Sequence, residues 1–494
     1  MKFSMNQLKI FLSRSGAIFT LMLFSILPIS LTSCIEDGVS TSPADQPKFS
    51  TDTVRLGSLL TLGPSPTSRF IVYNNHDKIL NISDIAFRDD VNEQFRLNVD
   101  GVSARRFSNI EIRPNDSIFV FVEATLAENG QDLPVAILAH IDFKVNGVTS
   151  TMPVTAEGQD VTRLSGDIRF AENTTLFPGK PYLINDSIVV EEGAKLTIPA
   201  GSRLLMHDAA RIIVYGSLEI LGTPDKKVEI RGDRSGFVAS TIPYEVMSGQ
   251  WAGIYFAPTS YNNKISHTSI RNSEQGIILD HCGGSRREPA LSIYNSVVRN
   301  TKGYIIEAIH SSLSAVGCEF SDASLGILRL VGSEHHILQS TIANYYLFTA
   351  VGPAIQFEHF NPEEDITLDK DSNSDESDKE LPYLSADIEN TIIYGLGSDL
   401  SHGDFTGFPI KFTNCLFKSA GEDDDNFIKS LWETDPLYGV VRESYIFDYR
   451  VGVESPTLNA GDPLLLTTEE SQTDIFGASR LPSPTLGAYQ EPRQ

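Results

Sequence analysis

Over residues 51–162 apolar and polar positions alternate in short runs, the period-two signature of half-buried strands. The runs are Thr53–Leu56, Arg69–Tyr73, Ile79–Phe87, Phe95–Val99, Ile110–Ile112, Ser117–Glu123, Val135–Lys144 and Thr149–Thr155. Asn74-Asn75, Pro114-Asn115-Asp116, Glu128-Asn129-Gly130 and Asn146-Gly147 fall between them and supply turns. Seven or eight short strands in so short a span predict a β-sandwich.

From Leu164 onward the strands become shorter and the turns more frequent. Ser187–Val190, Lys195–Ile198, Arg203–Leu205, Ile212–Val214, Ser217–Ile220 and Lys227–Ile230 are punctuated by Gly193, Gly201, Gly216 and Gly222, with no helical periodicity. Further on, six segments share one template: a small residue, any residue, an aliphatic or Phe, any residue, then usually Asn or Asp. They start at Thr268, Ser296, Cys318, Ser340, Thr391 and Cys415, at intervals of 28, 22, 22, 51 and 24 residues. A period in the low twenties is too short for a helical pair and suits one coil of a solenoid. Equivalent side chains should then stack in ladders along the axis. The 51-residue interval holds an insertion, about residues 358–382, whose Glu363–Glu380 stretch is dense in carboxylates and predicts a solvated loop.

The segment VVEEGAKLTIPAGSRLLMHDAARIIVYGSLEILGTPDKKVEIRG (Val189–Gly232) resembles the opening coils of right-handed parallel β-helix proteins of the pectate-lyase-like superfamily. Gln250–Phe256 is similar to the Trp-Gly-Gly-Ile segment that often follows in bacterial members. SPTLNAGDP at Ser455–Pro463, DIFGASR at Asp474–Arg480 and LGAYQ at Leu486–Gln490 resemble the C-terminal coil and cap of the same group. The sandwich resembles Ig-like modules set between lipid anchors and larger surface domains. The expected fold is therefore all-β, an Ig-like sandwich over 51–162 followed by a right-handed parallel β-helix over 163–490. This superfamily carries lyases, hydrolases, adhesins and inert stalks alike, so the resemblance does not fix an activity.

The N-terminus sets the address. Lys2, Lys9 and Arg14 precede an apolar stretch over Ala17–Leu31, followed by Leu31-Thr32-Ser33-Cys34. That arrangement suits a signal peptide over 1–33 rather than a membrane span. Its end resembles the lipobox of bacterial lipoproteins, which implies acylation of Cys34 and stable membrane anchoring. Ile35 follows the Cys, so the Asp associated with inner-membrane retention is absent, and an outer-membrane, surface-exposed lipoprotein is expected. Residues 34–50 read as a tether.

Formal net charge is −25, and −28 once residues 1–33 are removed. Such a chain is a poor partner for nucleic acid and repels polyuronates unless divalent cations intervene. With Cys34 assigned to lipid, Cys282, Cys318 and Cys415 remain, an odd number. Two of them occupy the small position of the repeat, as buried rungs would.

Candidate chemistry lies in two loops. Asp369, Asp371, Asn373, Asp375 and Glu380 take positions 1, 3, 5, 7 and 12 of an EF-hand-like loop, a spacing that admits Ca²⁺. Against it, Ser374 stands where the sharp turn needs Gly, and no cofactor is required by anything else in the chain. Arg286 and Arg287, with Asp280, His281 and Glu288 nearby, are the catalytic candidates: uronate lyases need a base and a cation to stabilise developing enolate charge. The row of Asp on neighbouring strands that such sites use is missing. Glu307 and Arg329, each 11 residues past a ladder position, are expected to pair on adjacent coils. Together these features predict a lipid-anchored surface protein that binds glycan or another extracellular polymer without turning it over. A polysaccharide lyase or glycoside hydrolase is the alternative, and a structural stalk the third reading.

Overall fold

The computed structural model describes residues 38–89, 93–238, 241–348, 351–358, 383–402 and 408–493. Cys34 and the whole EF-hand-like set from Asp369 to Glu380 lie outside them. The chain forms two compact units, one of residues through Glu128 with Ala136–Gly158, the other of Asn129–Val135 with everything from Gln159. Among the described residues strands dominate, and no helix is long and apolar enough to cross a membrane.

The first unit is a two-sheet sandwich. One sheet runs in the order Lys48–Phe49, Ser68–Tyr73, Ser117–Ala124, Phe95–Val99, Val102–Ala104. The other runs Val54–Leu60, Val148–Gln159, Val135–Val145, Leu80–Phe87, Arg106–Phe107. Ser117–Ala124 shows why they form: Ile118, Val120, Val122 and Ala124 turn inward while their neighbours face out. They meet Phe70, Ile82 and Phe143 from both sheets in a single core. Asn146 and Gly147 both adopt positive φ, the geometry of a tight hairpin turn. One expectation is corrected here. Residues 38–50 are not wholly a tether, because Lys48–Phe49 pairs antiparallel with Val72–Tyr73, Val39 bridges to Ile79, and Ser40 is buried. The apolar contacts of Phe49 with Phe70 and Phe143 hold this segment against the core.

The second unit is a parallel β-helix with three faces. Among the described residues, sheet I has ten strands, from Thr162–Leu164 to Leu416–Phe417; sheet II has nine, from Ile168–Phe170 to Leu400–Ser401; sheet III has ten, from Thr174–Thr175 to Phe427–Ile428. Every template segment contributes to a sheet I strand, and the register aligns them. Ile230, Ile270, Val298, Phe320, Ile342, Ile393 and Phe417 stack as one inward ladder, all fully buried. Each such side chain contributes roughly 1.5–3 kcal/mol relative to exposure.

The small first position has a polar reason as well as a steric one. The hydroxyls of Ser296, Ser340 and Thr391 each donate to the carbonyl two residues back, at 2.7, 3.0 and 2.8 Å. Each also accepts the backbone N–H of the equivalent residue one coil earlier, at 3.1–3.2 Å. Cys318 and Cys415 fill the same slot, fully buried, with their thiols toward Val316 O and Thr413 O. The fifth position is an αL corner between sheets I and II: Asn272, Asn300 and Asp322 have φ of 71°, 61° and 62°. Asn and Asp tolerate that conformation better than other side-chain-bearing residues.

At the far end, Phe412 stacks on Phe427 at 4.9 Å and Phe417 on Trp432 at 4.7 Å, plugging the last coil with aromatic rings. The remaining chain does not form a further coil, contrary to the expectation for 455–490. It runs back over the outside of sheet I. Tyr449 donates to Asp322 and Tyr489 to Glu319, while Gly487 N–H bonds Asn390 O at 3.0 Å. Tyr449, Ile475 and Ala488 bury against Ala343, so the apolar residues of this segment cover an outer face.

Candidate functional site

The loop after the sheet II strand Ile277–Gly283 decides where the basic pair lies. Gly283 and Gly284 both have positive φ, and a Cβ on Gly284 would collide with the backbone of Ala290. Ser285 N–H bonds Glu288 O at 3.0 Å and closes the turn. Arg286 is thereby aimed across sheet III: its backbone N–H bonds Glu334 Oε2 at 2.6 Å and its guanidinium pairs with Asp387. Arg287 and Glu288 are exposed.

Asp280 and His281 have different neighbours. His281 Nδ1 lies 2.7 Å from Asp280 Oδ1, the Tyr255 hydroxyl donates to Asp280 Oδ2, and the His281 and His310 rings are 4.9 Å apart. Burial, then the Asp280 carboxylate, pushes the Tyr255 phenol well up from its ordinary range. The structure thus joins Asp280 with His281 and gives Arg286 to another set of residues. It does not gather the sequence-predicted residues into one constellation.

Arg286 instead borders a groove of about 300 Å³ on the outer face of sheet III. Tyr294, Val316, Leu338 and Glu389 form one stacked row of its floor, and Ser292, Ser314, His336 and Asp387 form the neighbouring row. Leu464–Glu470 of the returning chain makes the opposite wall. His336 Nε2 sits 3.1 Å from Glu389 Oε2. Lys264 Nζ lies 5.0 Å above the Tyr294 ring and 3.8 Å from Glu470. Glu334, His336, Asp387 and Glu389 were not singled out in the sequence. The 51-residue interval from Ser340 to Thr391 also relates His336 to Asp387 and Leu338 to Glu389, so the ladder carried the signal.

The expected Glu307–Arg329 rung is present on sheet II, at 2.5 Å. Arg329 also pairs with Glu358 at 2.7 Å, and Tyr304 OH reaches Gln356 beside it at 2.9 Å. Its flanking carboxylates hold this guanidinium firmly charged against the opposing effect of burial. With both ends of the cation satisfied, the rung is a structural clamp between three coils. Burial lifts the thiols of Cys318 and Cys415 to about 12 and that of Cys282 to about 11, which makes them inert rather than nucleophilic. Among the described residues no three His, Cys, Asp or Glu side chains converge as metal ligands would.

No protein-family model matches this chain, and no curated protein does. Solved structures that match include a family 123 glycoside hydrolase from Clostridium perfringens, studied for glycolipid glycan hydrolysis. The likeness has 10% identity, a TM-score of 0.17, and covers 22% of this chain and 23% of that enzyme. The chain thus spans less than a quarter of that protein's length, and an overlap so slight carries no argument about activity.

Proposed function

We propose that this chain is a lipid-anchored cell-surface protein that binds a neutral glycan in the sheet III groove without turning it over. The observation that carries this reading is the convergence of Arg286, His336 and Glu389 with the Tyr294 ring over a flat, stacked floor. Hydrogen-bonding side chains beside an apolar or aromatic surface are what a sugar's hydroxyls and C–H faces require. Carboxylates outnumber cations there, and the chain as a whole carries −25, so a polyuronate would be repelled and a neutral sugar would not. Arg286 pairs with Asp387 and His336 with Glu389, so the polar groups are held as a recognition surface. Acylation of Cys34 would place the protein on the membrane, with the sandwich as an Ig-like spacer.

The second reading, a lyase or hydrolase, is favoured by the presence of Arg286 and several carboxylates in one groove. One experiment separates them: incubation of the chain lacking its apolar N-terminal segment with neutral and acidic polysaccharides, with and without Ca²⁺. Saturable binding of a neutral polymer, weakened in Glu389→Gln, supports recognition without turnover. New unsaturated or reducing ends that vanish in Arg286→Ala would establish the enzyme, and no binding at all would leave a stalk. Incorporation of an alkynyl fatty acid, abolished in Cys34→Ser, tests the anchor.

A further inference from the structure

The outer face of sheet I carries a second polar cavity, built from residues other than those of the groove. It measures about 70 Å³, space for on the order of five water molecules. Arg299 and Asn300, from the strand Val297–Thr301, meet Asp322 from the next coil at its base, and Tyr346, Tyr445 and Phe447 close over them.

Arg299 is the odd member of a stack of three arginines. Arg231 and Arg271 occupy the same rung on the two preceding coils, and both pair with Glu229, at 3.1 and 2.7 Å. Arg299 makes no hydrogen bond or ion pair among the described residues. Burial opposes its charge, and the nearby Glu319 and Asp322 carboxylates favour it through space. A half-buried guanidinium beside a cavity, with no protein partner, can offer its N–H donors to acceptors that enter it. Asp322 is 5% exposed, and Tyr345 N–H and the Tyr449 hydroxyl both bond its Oδ1. Burial raises its carboxyl to about 6.

The roof is held in place at some expense. Tyr445 adopts φ 57° and ψ 31°, a left-handed conformation unfavourable for a bulky residue. The turn Arg442–Ser444 precedes it, and Arg442 Nη2 donates to Tyr346 O at 2.9 Å, tying the two sides of the cavity together. Such strain persists where the surroundings over-determine it, as at ligand clamps.

We propose that this cavity is a second carbohydrate subsite, which captures a vicinal diol at the edge of a neutral sugar. Arg299 donates to the two neighbouring hydroxyl oxygens, Asp322 accepts from one of the hydroxyls, and Tyr445 and Phe447 cover the ring's C–H face. The cavity is too small for a whole hexose, so the sugar enters edge-on. An anion is the other conceivable partner for Arg299, but Glu245, Glu319 and Asp322 already surround it, and a diol adds no charge to a carboxylate-rich pocket. The inference does not rest on the sheet III groove.

Titration of the chain lacking its N-terminal segment with a panel of methyl hexopyranosides, followed by saturation-transfer NMR, tests it. At least one hexopyranoside should bind with millimolar affinity, weakened by about tenfold or more in Arg299→Gln. Tyr445→Gly keeps the left-handed turn while removing the ring, and should weaken binding even if Arg299→Gln fails to fold. Binding of sodium acetate in place of the sugars would overturn the diol reading. So would hexopyranoside binding that both variants leave intact, or no binding across the panel.

Discussion

Asn390 sits at a corner between sheets III and I where the backbone turns left-handed, with φ at 49°. It is fully buried. Its Nδ2 donates to Asp462 O at 3.0 Å, and its Oδ1 accepts from Asp462 N–H and Asn414 Nδ2 at 2.9 and 2.7 Å. His267, Asn295, Gly317, Gln339 and Asn414 repeat the positive φ just before each small residue of the template. Asn390→Ala therefore loses both the conformational preference and the hydrogen bonds, an expected destabilisation of about 2–4 kcal/mol in urea unfolding. Asn390→Gly restores the turn and should recover part of that loss.

His335, on the adjacent strand, points inward at a position where neighbouring coils have Leu313 and Ala386. Burial depresses its imidazole to about 4, so the folded state keeps it neutral while the unfolded chain protonates near 6.5. The unfolded state binds more protons between those values, so this residue's contribution is present above 6.5 and is lost as pH falls toward 4. Its share of the loss between pH 7 and 5 is about 2 kcal/mol. Asp322, whose carboxyl is raised to about 6, tilts stability the opposite way over the same range. The test is the difference between wild type and His335→Gln in urea midpoints: the variant should lose less stability on acidification.

Among elements, sheet II depends on Arg329 as a clamp across three coils. Arg329→Ala leaves Glu307 and Glu358 without the cation that bridges them, both less than a quarter exposed. An expected loss of about 2–3 kcal/mol follows, with Arg329→Lys intermediate because one ammonium cannot fork between two carboxylates. This rung was legible in the sequence because a ladder with fixed spacing makes equivalent residues countable. The sheet III groove was not, since the stacking of His336 on Asp387 spans the whole insertion, and Arg286 enters from a loop whose direction depends on Gly284. Local sequence specifies that a loop exists, whereas its partner surface comes from coils one to three turns away.

At the scale of the molecule, the returning C-terminal chain is as much part of the solenoid as its last coils. It supplies Tyr449 and Tyr489 as donors to buried Asp322 and Glu319, and it covers Ala343, Ile392 and Leu416. A chain ending after Thr434 would leave two buried acids without those donors and an apolar sheet face open to water. Such a truncation should bind the dye ANS strongly and unfold with reduced cooperativity, against little dye binding by the full chain.

Periodicity determined the all-β class, the solenoid, its coil length and the inward ladder, because side-chain direction in a strand depends only on local alternation and repeats faithfully. It also assigned Cys318 and Cys415 to the interior, where burial makes them inert. Tertiary structure alone decided that residues 38–50 join the sandwich, that the C-terminal segment lies over sheet I, and that Arg286 meets Glu334 and Asp387 rather than Asp280. Those outcomes depend on which outer surfaces remain to be covered once the coils have stacked, a quantity no window of sequence contains.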